Sequence, residues 1–246
     1  MDRLIYTAAS GAKHILDKQA TTSNNLANVS TTGFRAQLDT FRAVPVRSDG
    51  MPTRAFVVDN TVGADFSAGP LQVTGRDLDV AVKGQGWIAV QMPDGSESYT
   101  RNGALEISPN GMLQTANGMT IAGEGGPITI PPNTTVSVGS DGSVSTLSST
   151  ETPAVSTVLG RIKLVNPKEA DMVRGGDGLF RMRDGTSAQA DPAVSVAGGA
   201  LEGSNVSAVE AMVDMISLGR SFETQMSLMK NAENNAAKAA QILALT

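Results

Sequence analysis

NNLANVSTTGFR, Asn24 to Arg35, decides how the chain divides, because a helical pattern ends within it and a strand pattern follows. Upstream, Leu4, Ala8, Gly11, Ile15, Lys18, Thr22 and Leu26 recur at three and four residues, which places them along one edge of a helix. That edge is thin, since Ala, Gly and Thr dominate it. Asn24, Asn25 and Asn28 then arrive, followed by Ser30, Thr31, Thr32 and Gly33. Such residues compete with helical backbone bonds or tolerate left-handed dihedrals, so the helix is expected to stop near Asn28.

Beyond Arg35 the segment through Phe41, Val44, Pro45 and Val46 has no steady period and runs into Ser48, Asp49, Gly50 and Pro52, the pattern of a loop or extended arm. From about Thr53 the period becomes two. Ala55 to Val58, Leu71 to Val73, Leu78 to Val82 and Trp87 to Val90 are short apolar runs separated by Gly, Pro or Asp. Asp94-Gly95, Asn102-Gly103, Asn110-Gly111, Asn117-Gly118, Asp141-Gly142, Asp177-Gly178 and Asp184-Gly185 punctuate the rest of this region, as successive hairpin turns do. Pro127 to Pro132, Leu159 to Val165 and Leu179 to Met182 continue the strands, with a Ser/Thr-rich surface connection that carries a weak strand over Ser143 to Thr157. Parallel pairing needs crossover helices that this stretch lacks, so an antiparallel small barrel or sandwich is expected.

A second helix opens at LEGSNVSAVE, where Ser207 and Glu210 fit a capping box and Ser204 or Asn205 could cap one turn earlier. Met212, Met215, Gly219, Phe222, Met226, Met229, Glu233, Ala236, Ala240 and Leu243 then alternate at three and four residues, a coiled-coil seam broken only by Glu233. Spanning Val206 to Ala244, this helix is roughly 58 Å long at ~1.5 Å per residue, and its long partner is the N-terminal helix. The expected fold is α+β: two terminal helices pairing as a coiled-coil-like layer around an inserted β barrel or sandwich. The expected boundaries are 1–35 for the helix and its stop, 36–52 for the arm, 53–200 for the β body and 201–246 for the closing helix.

Composition narrows the function. In 246 residues there are 26 Gly and only 4% aromatics, so a slender body packed on Val, Ile and Leu is expected. A net charge of -5 and a pI near 4.9, without a basic stripe, argue against nucleic acid or an anionic membrane as partner. Cysteine is absent, which removes disulfide and thiolate chemistry. Met1 to Ile5 do not lead into an apolar core of about seven residues, so no secretory signal is read there.

Asn24, Asn25, Leu26, Ala27, Asn28, Thr31, Gly33, Phe34 and Arg35 resemble the signature of bacterial flagellar rod and hook proteins. RDLDVAVKGQGWIAV (Arg76 to Val90), YTRNGALEISPNGMLQTANG (Tyr99 to Gly118) and ALEGSNVSAVEAMVDMI (Ala200 to Ile216) resemble the family's other signature stretches. The opening MDRLIYTAASGA and FRAVPV at Phe41 to Val46 are similar to the proximal-rod branch, although Thr31 and Thr32 stand where many relatives carry a proline. The resemblance implies a structural subunit of the basal-body rod that transmits torque, exported by the flagellum's own apparatus without a cleaved signal to the periplasmic part of the basal body. Implied partners are copies of itself, other proximal-rod proteins, the distal-rod protein and the export apparatus.

Physics supplies a reason for assembly. The small residues of the N-terminal edge bury little apolar area at ~25 cal/mol per Å², so the helices gain stability when copies pack side by side. Ala8, Gly11, Ala12, Ala236, Ala237 and Ala240 allow close approach, and the seam methionines adapt to differing neighbours. Non-closing contacts between copies generate a helical tube. The expected assembly residues are therefore Leu4, Ala8, Gly11, Ile15, Asn24, Asn25, Leu26, Asn28, Gly33, Phe34, Met212, Met215, Phe222, Met226, Met229, Ala236, Ala240 and Leu243.

Catalytic readings are weak. Gly84, Gly86 and Ala89 in GQGWIA match a dinucleotide fingerprint formally, but Met92-Pro93-Asp94-Gly95 stands where a helix must follow, so no cofactor is expected and Trp87 is assigned to the core. His14 is the only histidine and, without Cys, excludes the usual triads and zinc sites. Asp77 and Asp79 lie on one strand face and could serve a periplasmic glycan hydrolase, yet a turn role beside Arg76 is the commoner use. Asn28, Asn133 and Asn205 begin acceptor-like triplets that are read as caps and turns. A distal-rod or short hook-type subunit and a secreted adhesin-like β module complete the range of readings.

Overall fold

The computed structural model describes residues 2–45, 55–148 and 156–244, so Val46, the Ser48 to Pro52 cluster and part of the Ser/Thr-rich connection lie outside the described residues. Contacts divide the chain into two compact units. One comprises residues 1–28, 37–65 and 206–246; the other comprises 29–36 and 66–205. The chain therefore passes from one unit to the other inside the NNLANVSTTGFR stretch.

In the first unit, helix α1 spans Asp2–Ala27 and helix α2 spans Ala208–Ala244. α1 runs through Asn24 and Asn25 and ends at Ala27, just before Asn28. α2 starts after Ser207, whose hydroxyl accepts the Glu210 N–H at 3.4 Å, one half of the expected capping box. Strands β1 (Gln37–Pro45) and β2 (Ala55–Ala64) pair antiparallel with a bulge between Thr40 and Phe41, so the unperiodic arm is a paired ribbon through Pro45.

The two helices pack together, but the expected coiled-coil layer is a point of correction. Ala211, Met215, Leu218, Phe222, Gln225, Met229, Ala232 and Ala236 are residues of α2 that are buried or half-buried at alternating spacings of four and three. Met212, Met226 and Glu233, three members of the expected seam, are exposed. The seam is displaced because α1 offers Ala8, Gly11, Ala12 and Thr22. A Cβ at Gly11 would already meet the Gln225 side chain at 3.4 Å, so this face takes a flat amide where a coiled coil would seat a large apolar knob. On α1 the half-buried edge runs through Gln19, and Lys18 is exposed.

Among the described residues the second unit is mainly β, with one short 3-10 turn at Glu169–Asp171, and its ladders are antiparallel. Strands β3 (Leu71–Val73), β4 (Val80–Lys83), β5 (Trp87–Gln91) and β6 (Glu97–Thr100) come first. The largest sheet runs Met172–Arg174, Phe180–Met182, β6, β5, Thr120–Gly123, Leu113–Thr115 and Leu105–Ile107. Its two ends do not pair, so the expected closed barrel is not formed. β4 pairs with Ser195–Gly198, β3 with Ala200–Glu202, and Thr134–Val138, Ser143–Ser148 and Ser156–Arg161 form a separate three-stranded sheet. Closure demands a consistent stagger along tilted strands, and strands of two to six residues are too short to carry one.

The turns explain that shortness. Gly95, Gly111, Gly118, Gly142, Gly178 and Gly185 all have φ between 73° and 85°, and Asp94, Asp141, Asp177 and Asp184 accept the N–H two residues on. Asn102-Gly103 differs: Gly103 is required because a Cβ there would lie 1.6 Å from the Val80 carbonyl oxygen. Val80, Val82, Ile88, Val90, Leu105, Leu113, Ile121, Ile162 and Val196 form the centre of one apolar core.

Tyr99 is fully buried on β6 with its hydroxyl accepting the Ala188 N–H at 2.7 Å. Burial pushes its phenol up to about 12, with the Glu97 charge adding to the effect against the Ala188 bond. An unfolded tyrosine ionises near pH 10, so between about 10 and 12 the unfolded chain releases a proton that the folded chain keeps. Stability is expected to fall across that window, by up to about 2–3 kcal/mol, and Tyr99→Phe should remove the decline in urea melts run from pH 9 to 12.

Candidate functional site

The asparagines at the end of α1 replace the backbone partners that the helix loses. The Asn28 side chain donates to the Asn24 carbonyl at 2.9 Å, and the Asn28 N–H is shared between the Asn24 and Asn25 carbonyls. Asn25 acts differently. Its Nδ2 donates to the Gln37 carbonyl at 3.0 Å while its Oδ1 accepts the Gln37 N–H at 2.8 Å, so one amide pairs with the first residue of β1 as a strand would. Leu26 is half-buried beside it and Asn24 is exposed.

The following residues belong to the β unit. Thr31 to Phe34 make a turn closed by the Phe34 N–H to the Thr31 carbonyl at 3.3 Å, with Gly33 at φ 68° in the position that needs a left-handed residue. Space imposes glycine there too, since a Cβ would fall 2.3 Å from the Arg101 backbone. The Gly33 N–H donates to the Glu202 carbonyl at 2.7 Å. Phe34 is buried beneath the Arg174 guanidinium, 4.5 Å from its ring centroid.

Arg35 is 1% exposed, and its Nη2 meets Glu202 Oε1 at 2.7 Å. Arg101 Nη1 holds the other oxygen, Oε2, at 2.9 Å, and the Gly69 N–H donates to Oε1 at 2.9 Å. Arg101 Nη2 also donates to the Gly84 carbonyl at 2.7 Å, and its guanidinium lies 5.3 Å from the Trp87 ring centroid. Burial moves Arg101 below the usual guanidinium range, a displacement that Glu202 opposes and the Arg35 cation reinforces. Arg174, lowered likewise by burial, donates to the Arg35 carbonyl at 2.9 Å. Asn205 completes the arrangement: its Oδ1 accepts the Ala36 N–H at 2.7 Å and its Nδ2 reaches the Ser67 carbonyl.

Sequence reasoning singles out Gly33 and Phe34 and misses Glu202, Arg101 and Arg174. The available signal was alternation: in the strand Ala200–Glu202 the acid shares the buried face with Ala200, and a buried acid requires a cationic partner. Of the other expected residues, Ala8 is buried, Gly11, Ile15, Met215, Phe222, Met229 and Ala236 are half-buried, and the side chains of Leu4, Ala240 and Leu243 lie outside the described residues. In GQGWIA, Gly86 has φ 130° with Val194 against its open side, and Trp87 is buried against Phe66 and Phe180. Asp79 accepts from the Thr74 hydroxyl at 2.6 Å and faces Arg76 at 3.4 Å, whereas Asp77 is exposed. Among the described residues no group of His, Asp or Glu is placed to hold a metal ion, and no helix is long and apolar enough to cross a membrane.

Residues 5–35 match the family described as flagella basal body rod protein, 81–146 the flagellar hook protein FlgE/F/G D1 domain, and 197–242 the flagellar basal body rod FlgEFG protein C-terminal region. The flagellar basal-body rod protein FlgF of Escherichia coli (strain K12) is 45% identical over 252 residues, covering 100% of both chains. The chain belongs to the flagellar basal-body rod protein family. FlgF of Salmonella typhimurium is 44% identical over the same full extent, and FlgG of Buchnera aphidicola from Schizaphis graminum is 30% identical over 89% of this chain and 92% of its own. Arg35, Arg101 and Glu202 each fall in a different one of the three matched rod-family segments, so one carboxylate gathers all three.

Gly33→Ala is expected to cost about 2 kcal/mol or more, because the left-handed dihedral and the contact with the Arg101 backbone act together. Gly118→Ala, with a φ of 79° but open space around it, should cost about 1 kcal/mol. Urea midpoints of the two variants check the order.

Proposed function

We propose that this chain is a structural subunit of the proximal rod of the bacterial flagellar basal body, acting by assembly into the drive shaft and not by turnover. The full-length likeness to FlgF proteins supports the place. One structural observation supports the mode: Val209, Met212, Val213 and Ile216 are 71%, 48%, 60% and 60% exposed along the first turns of α2. They lie three, four and seven residues apart on one helix face, and Met226 and Leu228 are exposed further on, beyond Arg220, Ser221, Glu223 and Thr224. Such a surface is a docking surface in waiting. Neighbours of the same architecture can cover it, since each brings exposed apolar side chains of its own, Tyr6 and Leu16 on α1 and the same stripe on α2.

On this reading the exposed face carrying Met212 and Met226 packs against neighbouring subunits, while Ala8, Gly11, Met215, Phe222, Met229 and Ala236 pack the helix pair within one subunit. Partners are copies of the chain, the other proximal-rod proteins, the distal-rod protein and, during secretion, the flagellar export apparatus. On this reading the rod lies in the periplasm, and the flagellar export apparatus carries the chain there. A distal-rod or short hook-type subunit is the second reading. Crosslinks from intact basal bodies separate the two by the identity of the neighbours. A hydrolase is disfavoured because Asp79 is committed to Thr74 and Arg76, Glu97 is held by Lys163 at 2.7 Å, and Glu124 faces Arg161 at 3.7 Å.

Val213→Asp and Ile216→Asp test the mode. Both side chains are exposed, so the purified monomers should keep their stability to within about 0.5 kcal/mol. Swimming in soft agar and incorporation into basal bodies should be lost. Normal swimming by cells carrying the double variant refutes this use of the helix face.

A further inference from the structure

We infer that residues 29–36 form a strap that docks and releases as a unit of its own, with the Glu202 carboxylate as its clasp, before the β core to which it docks opens. The inference is independent of the proposed function, because it concerns one subunit alone.

The strap is held by polar contacts. Ser30 and Thr31 are exposed, Val29, Thr32, Gly33 and Ala36 are half-buried, and only Phe34 and Arg35 are buried. None of the eight belongs to the apolar cluster around Val80, Ile88 and Val90. Their holds converge on three residues from elsewhere in the unit. Glu202 takes the Arg35 guanidinium and the Gly33 N–H, the latter through its backbone carbonyl. Asn205 takes the Ala36 N–H, and Arg174 covers Phe34 and donates to the Arg35 carbonyl.

The charge balance makes this hold conditional. Arg35 and Arg101 share one buried carboxylate, and the Nε and Nη1 of Arg35 and the Nε of Arg101 are buried without a hydrogen-bond partner. Release of the strap returns the Arg35 charge to water and leaves the Glu202–Arg101 pair and the Gly69 N–H contact in place. The aliphatic cluster around Val80, Ile88 and Val90 keeps its members, and the apolar burial given up is that of Phe34. A segment with one large buried apolar side chain and a desolvated cation is the low-energy opening of such a unit.

Hydrogen exchange by mass spectrometry on the full-length protein, at rising urea below the unfolding midpoint, reads the strap and the core separately. In the wild type, peptides covering 29–36 should exchange ahead of those covering 87–91. Arg35→Met should speed the strap peptides by about tenfold or more and leave 87–91 unchanged. Simultaneous exchange of strap and core in the wild type overturns the inference, and so does a variant in which the strap is unchanged or both regions speed up equally. If Arg35→Met does not fold, the wild-type urea series decides alone.

Discussion

The second unit depends on how a buried carboxylate is shared. Glu202 is 1% exposed, and taking one carboxylate and two guanidinium ions out of water carries a penalty of several kcal/mol per ion. Such a cluster is retained where its geometry holds something. Here it joins a segment before the first β ribbon, a turn after β6, and the strand that leads out to the last helix. Trp87 flanks both arginines and supplies an electron-rich face where oxygen acceptors run out. The aromatic group of Phe66, Trp87 and Phe180 thus serves the polar cluster as well as the packing.

The first unit obeys a different constraint, the size of the side chains that α1 offers. A face of Ala, Gly and Thr lets two helices approach closely but gives large side chains little to lock into. α2 answers by placing Gln225, Ala232 and Ala236 among its packed residues and leaves Val209, Val213 and Ile216 outside. A long helix that turns a glutamine and two alanines inward beside Met215, Leu218 and Phe222, and leaves Val209, Val213 and Ile216 in water, is poorly matched to a solitary existence. That arrangement suits a member of the rod family, whose function is to be surrounded.

Between these, the β unit is assembled from hairpins whose turns are almost independent of one another. Each Asp-Gly turn carries its own left-handed glycine and its own aspartate bond, so strand direction reverses after a few residues. Short strands cannot stagger into a barrel, and the unit becomes several small sheets around one aliphatic core. Rigidity then comes from many local closures rather than from a few long ladders.

What the residues determined unaided is what a few neighbours can enforce. The end of α1 at the asparagines, the cap at Ser207, the glycine turns, the burial of Trp87 and the antiparallel pairing all follow from backbone chemistry within a handful of positions. Asn102-Gly103 shows the limit, since its dipeptide imitates a turn and its glycine answers instead to the distant Val80 carbonyl. The face that α2 buries was decided only in three dimensions, because it depends on the bulk of another helix's side chains. So was the fate of Arg35, whose partner lies 167 residues along the chain. A buried charge must find its counter-ion wherever the fold brings one, and no local pattern encodes that distance.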